Sequence, residues 1–264
     1  GKTKSLDTAK FYAEATAATL AGLGINVNFA PCVDLAVNPN NTVIVKVERS
    51  YSANADTVAR FAREVITQHR KHHVITTLKH FPGHGSSKED THFGVADVTD
   101  TWSENETEPY KMLLASGHVD AIMTSHIANK NLDPRGLPGT LSSRVIDSLL
   151  RKKMGFDGVV FTDDMQMHAI TKYFGLSEAI RLSIQAGVDI MCFSNNIQGS
   201  EDRTADKVHQ IIREYVDKGV ITRDRIEQSY RRIMALKKRL TENDTIHTEP
   251  RKKITNPTKS SRKK

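Results

Sequence analysis

The sequence of 264 residues predicts an α/β fold, a TIM-type (β/α) barrel, from three observations. Helix-like and strand-like segments alternate along the chain. The strand-like segments are almost continuously apolar, which is typical of strands buried on both faces of a parallel sheet. Each of them ends in polar residues, as strands do at the functional rim of a barrel. A doubly wound sheet also alternates, but it would gather its ligand at one switch point.

The individual elements follow from local patterns. The helices are rich in Ala, Leu and Glu, and four of them stop at a glycine, the residue that best tolerates the left-handed turn after a helix. Ser142 or Ser143 is the expected cap of one helix. We predict helices at 7–23, 56–72, 109–116, 142–154, 177–186, 203–218 and 222–240. We predict strands at 25–35, 74–81, 121–127, 159–162 and 188–193.

The charge distribution argues against a nucleic-acid-binding protein. The formal charge is +7, from 38 basic and 31 acidic residues, but residues 251–264 hold seven basic side chains and no acidic one. Residues 1–250 are therefore balanced, and we predict a barrel domain at 1–245 followed by a basic tail or linker at 246–264. No apolar run approaches the ~20 residues that span a bilayer.

Isolated cysteines and histidines carry little information here. Cys32 and Cys192 are expected to be buried free thiols, although a disulfide stays open. Seven lone histidines are expected on helix surfaces or in loops: His69, His72, His73, His118, His168, His209 and His247.

Residues 79–92 are the most informative segment. They read KHFPGHGSSKEDTH and follow an apolar, β-branched run, so they combine three imidazoles, two lysines and two carboxylates at the end of a predicted strand. Lys79 and His80 could there donate hydrogen bonds to a polyhydroxylated ligand. His92, two residues from Asp90, could exchange protons near neutral pH or be an ordinary loop histidine. Zinc binding by the three histidines fits no standard spacing, and we predict neither metal nor cofactor.

Asp163 is the second candidate, because it directly follows a predicted buried strand. A carboxylate in that position is costly unless it has partners or a chemical role. Asp164 is then expected to bond the backbone of the next turn, although both aspartates could simply cap it. Arg49, in a loop that faces the same rim, is a further cation, and its alternative role is an ion pair with a nearby acid.

In order along the chain, four segments resemble motifs of glycoside hydrolase family 3, in its β-N-acetylglucosaminidase branch. They are residues 28–34 (NFAPCVD), 48–51 (ERSY), 79–92 and 155–165 (GFDGVVFTDDM). The resemblance covers roughly residues 5–240. Family members carry two further βα units before the matching part, with an acidic, glycine-rich segment that nothing in this chain matches. The resemblance therefore implies an incomplete barrel.

The resemblance implies a retaining glycosidase. Asp163 is expected to be the nucleophile and His92 the acid/base, oriented by Asp90, while Arg49, Lys79 and His80 hold sugar hydroxyls. The expected substrate is a terminal β-linked N-acetylglucosamine of peptidoglycan- or chitin-derived sugars. β-Glucosidase activity, phosphate as acceptor, a catalytically impaired carbohydrate-binding fragment and, more weakly, a metal-dependent hydrolase are the alternatives. The resemblance favours the cytoplasm over a periplasmic or secreted location.

Overall fold

In the computed structural model, which describes residues 5–88, 94–195 and 204–242, five strands form one parallel sheet. The strands are β1 Val27–Asn28, β2 Ile75–Phe81, β3 Ala121–Thr124, β4 Val159–Asp164 and β5 Ile190–Cys192. Their order in the sheet is their order in the chain, and each neighbouring pair is parallel. Without a reversal of strand order there is no switch point among these strands, which agrees with a barrel rather than a doubly wound sheet.

Helices alternate with the strands as predicted, and one further short helix, at 168–171, is not among the predictions. The helices are α1 Leu6–Gly22, α2 Ala55–Lys71, α3 Glu108–Ala115, a π-helix Arg144–Lys153, α4 His168–Thr171, α5 Leu176–Ala186, α6 Thr204–Asp217 and α7 Arg223–Glu242. The α1 and α2 helices begin at side-chain caps, where Ser5 and Asn54 accept the backbone N–H groups of Thr8 and Thr57. Ser142 does the same for the N–H of Val145 at the start of the π-helix.

The first strand is much shorter than the predicted 25–35. After Asn28 the chain still follows β2, since the Val33 N–H donates to the Lys79 carbonyl over 2.8 Å, but the ladder is irregular. Pro31 lies in this stretch and has no N–H to contribute, which is a physical reason for the interruption. The segment nevertheless carries Cys32 and Asp34 to the carboxyl end of β2.

The two faces of the sheet bury different apolar layers. Leu78, Ile122 and Val160 point to the main core, which α2, α3 and the π-helix cover. Alternate residues of the same strands form a second cluster on the opposite face: Ile75, Ala121, Met123, Val159 and Phe161. Because side chains alternate along a strand, Lys79 and Asp163 lie on this second face, beyond Ile75 and Phe161 at the carboxyl ends of β2 and β4.

The amino ends of the strands are closed by α7. Leu236 of this helix packs into the second cluster, and Ile233 and Leu240 flank it. Two buried aspartates fix the helix, Asp120 through Arg239 and Asp189 through Arg232. The candidate site for chemistry is therefore the polar rim at the opposite, carboxyl ends of the strands.

Two predictions about lone side chains can be checked. His69 was expected on a surface but is 1% exposed; its ring contacts the Val65 carbonyl and the Asn28 side chain, because tertiary packing places α2 against β1. Cys32 and Cys192 are free thiols, as predicted, but each is partly rather than fully buried. No helix among the described residues is both long and apolar enough to cross a membrane.

Candidate active site

Asp163 is an ionised carboxylate at the carboxyl end of β4. Burial raises its pKa, but the nearby side chains of His80 and His126 outweigh burial, and the pKa of Asp163 lies below its ordinary value. Its Oδ1 accepts the backbone N–H of Asp164 over 2.9 Å. A partly exposed, negatively charged oxygen at this rim can act as a nucleophile toward an electrophilic carbon.

Asp164 has the structural role that the sequence predicted. Its Oδ1 accepts the backbone N–H groups of Gln166 and Ser194, at 3.0 and 3.2 Å. Its own carbonyl oxygen lies 2.9 Å from Nε2 of His126. These contacts tie the end of β4 to the loops after β3 and β5, and so fix the backbone that presents Asp163.

A second part of the site is a hydrogen-bonded chain from Asp34 through His80 to Arg49. The Asp34 carboxylate lies 2.7 Å from Nδ1 of His80, and Nε2 of the same ring lies 3.2 Å from the Arg49 guanidinium. A guanidinium can only donate, so Nε2 accepts and the ring proton lies on Nδ1, facing Asp34. This series of hydrogen bonds therefore fixes the tautomer of His80 and the orientation of the Arg49 guanidinium.

Asp34 is fully buried, and several hydrogen-bond donors compensate the charge of its carboxylate. Besides the His80 ring, the backbone N–H groups of His80 and His84 and the Cys32 thiol donate to it. Burial raises the pKa of Asp34, but the His80 side chain and these hydrogen bonds more than reverse the effect and hold it well below its usual range. The carboxylate is thus a fixed negative charge beneath the rim.

Cys32, Asp34 and His80 also offer sulfur, oxygen and nitrogen atoms within 4.8 Å of one another, a combination that transition metals favour. Here the hydrogen bonds account for the arrangement. Burial, and then the charge of Asp34, raises the pKa of the Cys32 thiol well above its ordinary value, so the sulfur is protonated. A cation would have to displace the thiol proton of Cys32 and the proton on Nδ1 of His80, whose other ring nitrogen already contacts the Arg49 guanidinium, so the donor set fits a metal poorly.

Lys79 adds a cation to this rim. Burial and then the nearby Arg49 charge lower the pKa of Lys79 from its ordinary value. His84 is neutral, because burial, followed by the neighbouring His80, lowers its pKa to about 4. The rim thus combines the Asp163 carboxylate, and that of Asp34 beneath it, with the cationic side chains of Arg49 and Lys79, which can donate hydrogen bonds to a polar ligand.

Asn41 links the loop of Arg49 to the turn after β2. Its Nδ2 donates to the carbonyl oxygens of His84 and Gly85 at 2.8 and 3.2 Å. Its Oδ1 accepts the backbone N–H groups of Val43 and Ile44, at 2.9 and 2.7 Å. One buried amide therefore joins the two segments that carry Arg49 and His80.

Of the predicted site residues, the structure places Asp163, Lys79, His80 and Arg49 at one rim. Both ring nitrogens of His80 have protein partners, so a sugar hydroxyl at Nε2 would compete with Arg49. Asp90 and His92 lie outside the described residues, and their roles stay predictions.

Sequence reasoning gave no role to Asp34, Asn41 or His126. Asp34 and His126 did carry a signal, since each follows an apolar strand-like run, but their partners lie 46 and 38 residues away along the chain. Asn41 stands in the loop PNNT, which looks like an ordinary surface turn, and only the tertiary structure shows its burial.

Comparison with known proteins identifies the family. The model of the "Glycosyl hydrolase family 3 N terminal domain" matches residues 1–236. The chain belongs to glycoside hydrolase family 3. The predicted fold is thereby confirmed: the described residues of this family member form an incomplete TIM-type barrel of five consecutive parallel strands.

Individual relatives agree with this assignment. Beta-hexosaminidase A of Pseudoalteromonas piscicida is 31% identical over 242 residues, which are 86% of this chain and 40% of the relative. A beta-N-acetylglucosaminidase/beta-glucosidase of Cellulomonas fimi is 30% identical, over 84% of this chain and 40% of the relative. The solved structure of a family 3 beta-N-acetylglucosaminidase from Paenibacillus sp. str. FPU-7 is 37% identical with a TM-score of 0.82, covering 90% of this chain and 44% of that one. The chain spans less than half the length of these relatives.

Proposed function

We propose that the protein is a retaining β-N-acetylhexosaminidase that removes terminal β-linked N-acetylglucosamine from peptidoglycan- or chitin-derived sugars. The observation that carries the proposal is the rim itself: an ionised carboxylate, Asp163, faces the same side of a family 3 barrel as Lys79 and the Asp34–His80–Arg49 chain. The names of the hexosaminidase and N-acetylglucosaminidase relatives support the amino sugar as substrate.

In this proposal Asp163 attacks the anomeric carbon and forms a glycosyl-aspartate ester, while the bond to the leaving oxygen breaks. The lowered pKa of Asp163 supports this role, because the nucleophile must be ionised at the start of the reaction. His92 protonates the departing oxygen and then takes a proton from water, which releases the sugar. Asp90 orients His92.

Arg49, Lys79 and His80 bind the sugar hydroxyls in this proposal. The fixed direction of the Arg49 guanidinium supports it, since a donor that is held before the ligand arrives loses little conformational freedom on binding. Asp34 acts beneath them by holding the His80 ring.

The test is release of the aglycone from an aryl β-N-acetylglucosaminide. We expect the Asp163→Ala variant to lose activity by about 10³-fold or more. Asp157→Ala is the matched control, because this residue precedes the same strand and its side chain is 84% exposed. Activity of Asp163→Ala equal to that of the control would refute the assignment of the nucleophile.

The same assay separates the other candidates. An imidazole acid/base repels anions less than a carboxylate does, so phosphate could replace water as the acceptor. Formation of a sugar 1-phosphate in phosphate buffer would identify a phosphorylase, and faster turnover of an aryl β-glucoside would identify a glucosidase. Binding of the sugar without release of the aglycone would identify a carbohydrate-binding protein.

A further inference from the structure

Glu106 lies directly beneath the turn that follows β2, and it is buried with only 1% of its surface exposed. Its Oε2 accepts the backbone N–H groups of Gly85 and Ser86, at 2.8 and 3.3 Å. The next N–H toward β2, that of His84, donates to Asp34 over 2.8 Å. Two buried carboxylates from distant segments therefore hold three consecutive amides of one turn.

The turn is packed so closely that its glycines are required. A Cβ atom on Gly83 would stand 2.5 Å from Cβ of Glu106, and the backbone φ of Gly83 is +122°. A Cβ atom on Gly85 would stand 1.7 Å from the carbonyl oxygen of Leu35. With no side chain in the way, Gly85 brings its N–H group against the carboxylate of Glu106, while the N–H of Gly83 donates to the carbonyl oxygen of His80.

The contacts that hold the turn lead back to the active site. Asp34 binds the N–H of His84 with one oxygen and the ring of His80 with the other, so a shift of the turn alters the position of that ring. His80 in turn receives the hydrogen bond of Arg49. Glu106 itself is buried, so it can influence the rim through these contacts.

A carboxylate in this place is costly in its charged form. Burial raises the pKa of Glu106 to about 7, and the charge of Asp34 contributes in the same direction, while the donors at Gly85 and Ser86 oppose it. Oε1 makes no hydrogen bond within the described residues, and neither does the buried hydroxyl of Tyr110. A carboxylate that is buried at such a cost in free energy is more typical of a functional site than of a hydrophobic core.

We propose that Glu106 is a positioning residue of the active site: its carboxylate holds the turn 83–86 and thereby keeps His80 and Arg49 aligned for the sugar. The inference rests on the proposed function, since alignment is measured as catalysis. The ionised carboxylate makes charge-assisted hydrogen bonds to the turn, and the protonated acid makes weaker ones. The hydrogen bonds to the turn are therefore strongest when Glu106 is ionised, even though burial of that charge lowers the stability of the fold as a whole.

The kinetic test compares kcat/KM of the wild-type protein and the Glu106→Gln variant from pH 5 to pH 9. The amide keeps an acceptor but cannot ionise, so the variant should resemble the protonated wild type. We expect the ratio of wild type to variant to lie near one at low pH and to rise through about pH 7 to about 10- to 100-fold, the cost of a small misalignment. Among the described residues, the titratable groups that interact with Glu106 are Asp34 and Tyr110; the pKa of Asp34 is held well below this range and that of Tyr110 well above it.

Glu104→Gln is the matched control, since it makes the same chemical change two residues earlier, on the exposed side of the same turn of 3₁₀ helix, Glu104–Thr107. Its kcat/KM should follow the wild type at every pH. A ratio for Glu106→Gln that does not change with pH, or an equal loss in the control, would overturn the proposal. A uniform loss of stability cannot produce a ratio that rises through pH 7.

Hydrogen exchange of the Gly85 and Ser86 amides gives a readout that needs no activity. At pH 8 we expect exchange at these two amides, measured relative to exchange in β3, to be about tenfold faster in Glu106→Gln than in the wild type. If neither protein hydrolyses the glycoside, the proposed function fails, while the exchange still tests the hold on the turn. Equal protection in both proteins would overturn that hold.

Discussion

Glu106 should make the folded protein less stable as the pH rises. In the unfolded chain its carboxyl titrates near its ordinary 4.5, whereas burial raises the pKa in the folded protein to about 7. Between these values the folded protein keeps a proton that the unfolded chain has released. The free energy of unfolding therefore falls as the pH rises from about 4.5 through 7, and this contribution is constant below and above that range.

The size of the effect follows from the two pKa values. The rise from 4.5 to about 7 corresponds to about 3 kcal/mol, at about 1.4 kcal/mol for each pKa unit. This is a large part of the roughly 5–15 kcal/mol of unfolding free energy that is typical of a folded protein. The Glu106→Gln variant lacks the ionisation, so the difference in unfolding free energy between wild type and variant should fall by about 3 kcal/mol from pH 4.5 to pH 8.

Urea denaturation at half-unit pH steps measures this difference, with Glu104→Gln as the control. Glu104 is exposed, and the Lys153 and Lys111 side chains lower its pKa, so its replacement should not reproduce the fall. Parallel stability curves for wild type and Glu106→Gln would refute the reasoning, because they would mean that the carboxyl titrates alike in the folded and unfolded states.

Three further predictions concern the packing of the fold and the binding of the sugar. Gly85→Ala should destabilise the fold by about 1–3 kcal/mol or more in thermal unfolding, since its Cβ would meet backbone, whereas Gly22→Ala in open space at the end of α1 should have no destabilising effect. Asp189→Ala should lower the free energy of unfolding in denaturant by about 3–5 kcal/mol, because it leaves buried arginines unpaired. Asp157→Ala, which removes an exposed carboxylate from its ion pair, should hardly shift the midpoint of unfolding. Arg49→Lys should lower kcat/KM for an aryl N-acetylglucosaminide by about tenfold, with an unchanged circular dichroism spectrum. The reason is that lysine cannot make both guanidinium contacts, to the Val43 carbonyl and to the His80 ring. An unchanged kcat/KM would count against a role of Arg49 in binding.

The alternation of elements could be predicted from the sequence because the signals are local. Apolar β-branched runs and glycines after helices placed β2 and α2 within one residue of their observed bounds. The first strand could not be delimited, because its pairing with β2 depends on tertiary packing around Pro31 and the apolar pattern alone does not show the interruption.

The candidate site was predictable where a residue carries its own signal. Asp163 directly follows an apolar strand, and Lys79 and His80 close another. Glu106 could not be found in this way, because it alternates with Glu104 and Glu108 in a run that looks like an ordinary solvated surface. Its burial and its contacts arise only when the turn after β2 packs against α3, a proximity that no local pattern encodes.

Covalent trapping tests the central claim most directly. The protein is incubated with an activated, fluorinated N-acetylglucosaminide that forms the glycosyl-enzyme faster than water releases it, and the digested peptides are mapped by mass spectrometry. The account predicts one sugar attached through an ester to Asp163, and none in the Asp163→Ala variant. Hydrolysis that proceeds without an adduct, or an adduct on another residue such as Asp164, would contradict it.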